Sequence, residues 1–366
     1  MSKKRRSAGL VSIVLSLSMI LGTFVACSSQ TSESSGSTAQ SSGAAQTSSA
    51  AKTDSTSGGA LQKVTLQLKW LPQSQFMGYY IAQEKGYYKD AGIDINILPG
   101  GSDIIPEQQV SNGTANIGVT WTSSLMKYQN KGWNLVEIAQ IFQKSAMLLV
   151  SKKASNITSV KDLKGKTVGS WFGGNEYELY AALGKNGLNK DNDLKLVQQD
   201  FTMNQLESGK VDVAQAMTYN EYGLLLEAGY TDKTLNKIDM NDEGVAMLED
   251  CLFVNTDWAA KNSDLLTKFI KASIKGWADA CADPVAAGKI VYEKNKSVSL
   301  KHQTYMAQEV AKLVIPSGFD KAKIGYIDPK AIQQTADLGL KYGLLTKAAD
   351  TSKCVDTQYW TKATSN

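Results

Sequence analysis

Hydrophobic and polar positions change period along this chain, and the changes mark its elements. In LQKVTLQLKW, Val64, Leu66 and Leu68 alternate with Thr65, Gln67 and Lys69, the period of two of a half-buried strand. After Pro72 apolar residues recur at steps of three and four through Met77, Tyr80 and Ile81. This predicts a helix over FMGYYIAQEKGYYKD that Gly92 stops before a second strand, IDINIL. The alternation continues with IIPEQQVSNG and SSLMKYQNKG as helices and NIGVT and LVEIAQIF as strands. Strands separated by helices of about ten residues predict right-handed crossovers and a mostly parallel sheet.

The same grammar restarts after Ser159-Val160-Lys161-Asp162, a capping-box pattern. KTVGSW, LKLVQQD and VDVAQAMT read as strands, EYELYAALGKNG and TMNQLESGK as helices. AMLLVSK precedes this unit and VAMLEDCLFV follows it, both apolar and extended. The chain is therefore expected to leave a first αβ lobe, build a second and return through two paired hinge strands. Over 257–360 helical periodicity dominates, as in LLTKFIKASIKGWADACA and QTYMAQEVAKLV, which predicts helices packed on the first lobe. Residues 61–146 with 252–366 would form lobe one, and 147–251 lobe two.

Ahead of the lobes, Lys3, Lys4, Arg5 and Arg6 precede an apolar run that ends at Phe24-Val25-Ala26-Cys27. Residues 1–26 read as a secretory signal. Small residues before a cysteine resemble a bacterial lipobox, which would make Cys27 the lipidated new N-terminus, although Phe24 stands where Leu is usual. Residues 27–60 are almost wholly Ser, Thr, Gly, Ala and Gln with no aromatic, so they cannot bury a core and read as a flexible tether. Such a tether spans on the order of 30 Å. The lobes are expected outside the cytoplasm, held to the membrane by lipid on Cys27.

Composition narrows the chemistry. The net charge is +4. The signal holds four basic residues and no acid, which leaves the remainder neutral (4 − 4) and gives no electrostatic footprint for nucleic acid. Arg5 and Arg6 are the only arginines, so the planar fork that grips sulfonate or phosphate is absent after cleavage. His302 is the single histidine. That removes His-based zinc sites and Ser-His-Asp triads, and no metal or cofactor is implied. Cys251, Cys281 and Cys354 give no disulfide framework. Cys251, within CLFV, reads as a buried small hydrophobe; a Cys281–Cys354 bridge is chemically open outside the cell.

Ligands of open parallel sheets gather beyond the carboxyl ends of strands and between domains. Those ends read Trp70-Leu71-Pro72-Gln73-Ser74-Gln75, Thr120-Trp121-Thr122, Ser170-Trp171-Phe172-Gly173-Gly174-Asn175-Glu176 and Thr218-Tyr219-Asn220-Glu221-Tyr222. Nearly every end sets an aromatic ring beside an amide, hydroxyl or carboxylate.

These segments, with VSNGTANIGVTW, DLKGKTVGSWFGGNEYE, SGKVDVAQAMTYNEY and the late LEDCLFV, resemble the solute-binding proteins of ABC importers. The group is the one that includes thiamine-pyrimidine synthase-like and sulfonate- or nitrate-binding proteins. The resemblance covers nearly all of 62–283 and implies the periplasmic-binding-protein type II fold, an α/β fold whose two lobes close on a ligand. It also implies a membrane permease and its ATPase as partners. The aromatic form of the first motif is similar to binders of thiamine pyrimidine precursors and of riboflavin. Eukaryotic-type members of the family build the thiamine pyrimidine from pyridoxal phosphate and an active-site histidine, with a cysteine-rich motif; this chain has no clustered cysteines and no histidine before His302. It is therefore expected to bind rather than catalyse.

For a flat heteroaromatic ligand, Trp70, Tyr79, Trp121, Trp171 and Tyr219 are the expected stacking surfaces. Gln75, Asn175 and Asn220 offer donors and acceptors, and Glu176 and Glu221 accept from an amine, ring N–H or hydroxyl. Some of these have structural rivals. Tyr80, Tyr87 and Tyr88 read as packing; Asn175 with Glu178 also fits a helix cap, which would leave Glu176 a solvated acid favoured by the helix dipole. Gly173-Gly174 reads as a backbone turn before it reads as a phosphate cradle.

Overall fold

The computed structural model describes residues 60–365. The predicted signal, the lipidation of Cys27 and the tether up to residue 59 lie outside the described residues. The ten strands described form two five-stranded sheets.

In the first sheet, β1 (Gln62–Gln67), β2 (Ile93–Leu98), β3 (Ile117–Thr120) and β4 (Leu135–Gln140) are joined by β10 (Cys251–Asn255) in the order β2-β1-β3-β10-β4. The alternation seen in sequence sets its register: Leu66 of β1 stands opposite Ile97 of β2 and Ile117 of β3, all in parallel pairs. β10 runs antiparallel between β3 and β4, with Cys251 opposite both Thr120 and Gln140. The second sheet takes β5 (Met147–Lys152), β6 (Thr167–Ser170), β7 (Lys195–Gln198), β8 (Val213–Met217) and β9 (Leu235–Asp239) in the order β7-β6-β8-β5-β9. β6 is parallel to β7 and β8, and β5 is antiparallel to β8 and β9.

Both sheets are thus mixed, and for one reason. The strand by which the chain enters the second lobe and the strand by which it returns to the first each run against their neighbours. The segments between them, 141–146 and 240–250, lie side by side: Ile141 N–H donates to Asp250 O at 3.2 Å and Asn241 Nδ2 donates to Ser145 O at 2.9 Å. Of the extended run VAMLEDCLFV, only the part from Cys251 onward is strand. The first predicted helix is interrupted at Gly86, whose φ of +75° splits it into Met77–Glu84 and Tyr87–Asp90. The patterning gave no signal for β9 or for the short helix Glu221–Glu227, and the helix read in TMNQLESGK is one turn, Asn204–Glu207.

The C-terminal helices do pack on lobe one. Ser263–Ala282 lies against Met77–Glu84 so closely that a Cβ on Gly276 would collide with Gly78 O and the Ala82 side chain. They also reach lobe two, which the sequence reading did not anticipate. The helix Leu300–Val314 begins under a Ser299 cap, with Ser299 Oγ accepting from His302 N at 3.1 Å. From that first turn Gln303 Oε1 accepts from Ser74 N at 2.8 Å and Ser74 Oγ at 2.7 Å in lobe one, while His302 reaches Asn220 in lobe two. Tyr342, beyond the helix Pro329–Lys341, sits against Gly184 of lobe two. Cys251, Cys281 and Cys354 are all free thiols, and no described helix is long and apolar enough to cross a membrane.

Candidate functional site: a tryptophan and amide cleft

The carboxyl ends of β1, β3, β6 and β8 converge on one cavity. Lobe one contributes Lys69 and Trp70 just past β1, Gln73 and Gln75 from the tight turn at Ser74–Phe76, and Trp121 just past β3. Lobe two contributes Trp171 past β6, Asn175, and Met217, Tyr219, Asn220 and Glu221 at the end of β8. A strand end leaves its next residues without a ladder partner, so their side chains are free to face the opposite lobe.

Beneath the cavity lies a polar chain held by a residue the sequence reading passed over. Gln73 Nε2 donates to Gln75 Oε1 at 2.9 Å, and Gln75 Nε2 donates to both carboxylate oxygens of Asp250, at 3.0 and 2.9 Å. Trp121 Nε1 donates to Asp250 Oδ1 at 3.2 Å. One carboxylate, 1% exposed, therefore orients two cavity walls. Burial pushes the Asp250 carboxyl up to about 7, against the opposing pull of the Gln75 hydrogen bond, Lys69 and Trp121. Its φ of +45° is a left-handed conformation that Asp tolerates better than most residues, placed where the chain re-enters lobe one. Its one trace in the sequence is an acid between apolar runs in LEDCLFV. Lys69 Nζ, also unflagged, sits 4.9 Å from the Trp121 ring centroid and adds a cation to that aromatic wall.

On the facing side Trp171 is held by Nε1 donating to Asp200 O at 2.9 Å. Asn175 Nδ2 donates to Phe172 O at 2.9 Å, so the side chain ties the turn and does not cap the following helix Tyr177–Lys185. Asn220 Nδ2 donates to Glu221 Oε1 at 2.7 Å, and Glu221 Oε2 accepts from Met217 N at 3.0 Å. Burial raises Glu221 to about 7. Tyr219 is buried with its ring edge-on to Phe142, centroids 5.9 Å apart.

Tyr79 and Glu176 do not line the cavity; the other predicted ligand-facing residues do. Tyr79 faces the other way because its helix must cover the first sheet, and its ring packs edge-on to Trp277 at 5.4 Å. Glu176 turns back on its own loop, where Oε2 accepts from Gly174 N at 2.8 Å. That bond steadies a run of left-handed residues, Phe172 (φ 58°), Gly173 (68°) and Gly174 (116°).

A second space adjoins the cavity at Lys69, Trp70, Trp171 and Asn175, which line both. Its walls include Glu107, Ser124, Lys127, Ile105 and Phe201. Ser124 Oγ is buried there with no hydrogen-bond partner. Trp70 and Phe201 meet across its mouth.

Two αβ lobes joined by two crossings, with a cavity between their strand ends, define a periplasmic-binding-protein fold. Similar solved structures include the aliphatic sulphonate binding protein SsuA from Escherichia coli, with a TM-score of 0.62 at 17% identity over 81% of this chain and 92% of that one. The chain belongs to the NMT1/THI5 like family, matched over residues 73–287. It is 26% identical to the riboflavin-binding protein RibY of Chloroflexus aurantiacus, over 82% of this chain and 86% of that protein. The formylaminopyrimidine-binding protein of Halalkalibacterium halodurans is 23% identical over 60% of this chain and 66% of its own length. A Saccharomyces cerevisiae relative, 4-amino-5-hydroxymethyl-2-methylpyrimidine phosphate synthase THI13, is 26% identical over 62% of this chain and 69% of its own length.

Proposed function

We propose that this protein is the solute-binding component of an ABC importer that captures a small heteroaromatic compound, riboflavin-like or a thiamine pyrimidine precursor, between its lobes. The observation that carries the reading is the convergence of Trp70, Trp121, Trp171 and Tyr219 with Gln75, Asn220 and Glu221 around one cavity. Rings supply flat faces for stacking, about 0.5–1.5 kcal/mol for each well-placed pair beyond burial, and the amides and carboxylate supply edge donors and acceptors. The lobes close over the ligand by a hinge at 141–146 and 240–250, and the loaded protein, lipid-anchored through Cys27, delivers to a permease and its ATPase. Domain boundaries follow those segments.

Binding without catalysis is favoured by the cavity walls, which present rings, amides, one lysine and one carboxylate. His302 and the three described cysteines lie outside them. The same walls carry no arginine, which disfavours a sulfonate or nitrate as the ligand.

A thermal-shift panel of riboflavin, formylaminopyrimidine, taurine and nitrate tests the reading. A ligand at a hundred times its Kd stabilises the fold by about 2.7 kcal/mol. Riboflavin or the pyrimidine should raise the Tm; a shift from the anions alone overturns the ligand class. Formation of a pyridoxal phosphate aldimine absorbance would overturn the non-catalytic assignment.

A further inference from the structure

His302 is the single histidine, and its side chain is only 5% exposed and lies outside the walls of the cleft described above. Its Nε2 lies 2.8 Å from Asn220 Oδ1 and its Nδ1 lies 3.1 Å from Glu227 Oε1. Tyr305, one turn further along the same helix, stacks near its ring with centroids 6.1 Å apart and donates its hydroxyl to Thr218 O at 2.8 Å. The two side chains clasp the segment that carries Tyr219, Asn220 and Glu221.

An asparagine amide fills the same space in either of two orientations, and its partners decide between them. On one side of Asn220 stands Glu221, whose oxygens already take Nδ2–H and Met217 N–H. With Nδ2 committed to Glu221, Oδ1 faces the imidazole, and the contact is a hydrogen bond only if Nε2 carries a proton. Glu227 Oε1 faces the opposite ring nitrogen. Were Nε2 bare, Asn220 would turn over to donate to it, and Oδ1 would stand against the Glu221 carboxylate.

We propose that His302 is a positioning residue for ligand recognition: as an Nε2–H donor, it holds the Asn220 amide in one orientation and so sets the hydrogen-bonding edge that lobe two offers. The edge is an amide N–H beside a carboxylate, a donor next to an acceptor, which complements the C=O and N–H of a ring amide. This rests on the heteroaromatic reading above for the identity of the ligand, but the state of the imidazole is a property of the free protein.

Because the chain has one histidine, ring-¹⁵N labelling gives one pair of imidazole nitrogens to observe. The expected spectrum of the ligand-free protein at pH 7 shows Nε2 protonated; a bare Nε2 overturns the proposal. Riboflavin is the binding probe. His302→Leu removes the donor and is expected to weaken riboflavin about tenfold, the scale of one lost hydrogen bond, while His302→Gln, whose amide still donates, recovers most of that loss. Equal affinity in wild type and His302→Leu overturns the proposal, and so does a Gln variant no better than Leu. If His302→Leu does not fold, the Gln variant and the spectrum decide. Failure of wild type to bind riboflavin counts against the ligand reading alone, since the spectrum still fixes the imidazole.

Discussion

Trp70 of lobe one and Phe201 of lobe two meet edge to face, their ring centroids 5.0 Å apart and their planes at 69°. Phe201 is 47% exposed, so it contributes little to the core of its own lobe and its main contact is across the cleft. Phe201→Ala is therefore expected to leave the fold intact and to shorten the bound state. An aromatic pair is worth about 0.5–1.5 kcal/mol, so riboflavin should dissociate roughly two to ten times faster, with its association rate little changed. Stopped-flow fluorescence measures both rates, and an unchanged dissociation rate would remove Phe201 from the closed state.

Asp250 offers a different lever, because it acts on the cavity from below. Both of its oxygens accept from Gln75, and Oδ1 also accepts from Trp121. Asp250→Asn keeps the shape but turns one acceptor into a donor that opposes Gln75 Nε2. At pH 8, where the Asp250 carboxyl is mostly ionised, riboflavin affinity should fall about tenfold or more, consistent with losing a charge-assisted pair worth about 1.5–3 kcal/mol. Isothermal titration checks the affinity; full binding by the Asn variant would show that Gln75 and Trp121 hold their places without the carboxylate.

The strand ends were legible because they carry pairs of signals, a ring with an amide, where a βα pattern stops. Trp70, Trp121, Trp171 and Tyr219 all came through in that way. Tyr79 misled because a helix of mixed rings shows no period that separates its core face from its cleft face. Asp250 and His302 were hidden for another reason. Each belongs by sequence to an apolar strand approach or an amphipathic helix, and each acquires its role only when the chain returns to contacts 75 to 175 positions away. The mixed strand order was likewise hidden, since a periodic strand has the same pattern read in either direction.

Ser145 joins the two crossings through carboxylates. Its Oγ lies 3.0 Å from Glu178 Oε2 and 3.0 Å from Glu249 Oε1, and it accepts from Met147 N at 3.1 Å. A hydroxyl has one hydrogen and cannot donate to both acids, so one of them carries a proton. Burial raises Glu178 to about 8 from an ordinary 4.5, and burial together with the Glu178 charge raises Glu249. Between about 4.5 and about 8 the folded protein holds a proton that the unfolded chain releases. Stability therefore declines as pH rises through that window, by at most about 1.4 kcal/mol per pH unit for each such proton. Glu178→Gln reproduces the protonated arrangement, its Oε1 accepting from Met247 N and its amide donating to Ser145. Its Tm should fall less than that of the wild type between pH 5 and pH 8, with Asp250 and Glu221, each raised to about 7, keeping part of the slope. Parallel Tm profiles in the two proteins would rule out the shared proton.

On the other flank Gly174 of lobe two comes up against Ser124 of lobe one. A Cβ there would collide with Ser124 Oγ of lobe one, and its φ of +116° is itself unfavourable for any side chain. Ser124 lies in the first turn of the helix Thr122–Asn130, directly after Trp121, so a separation at this point also displaces one wall of the cavity. Gly174→Ala should thus act on closure more than on either lobe's core. Riboflavin binding should weaken about tenfold or more, because forcing an extra methyl group into a filled contact typically costs about 1–3 kcal/mol. Small-angle scattering supplies the independent readout: wild type should contract on adding riboflavin, and Gly174→Ala should stay extended at the same concentration. Contraction equal to wild type would mean that the lobes meet without using this contact.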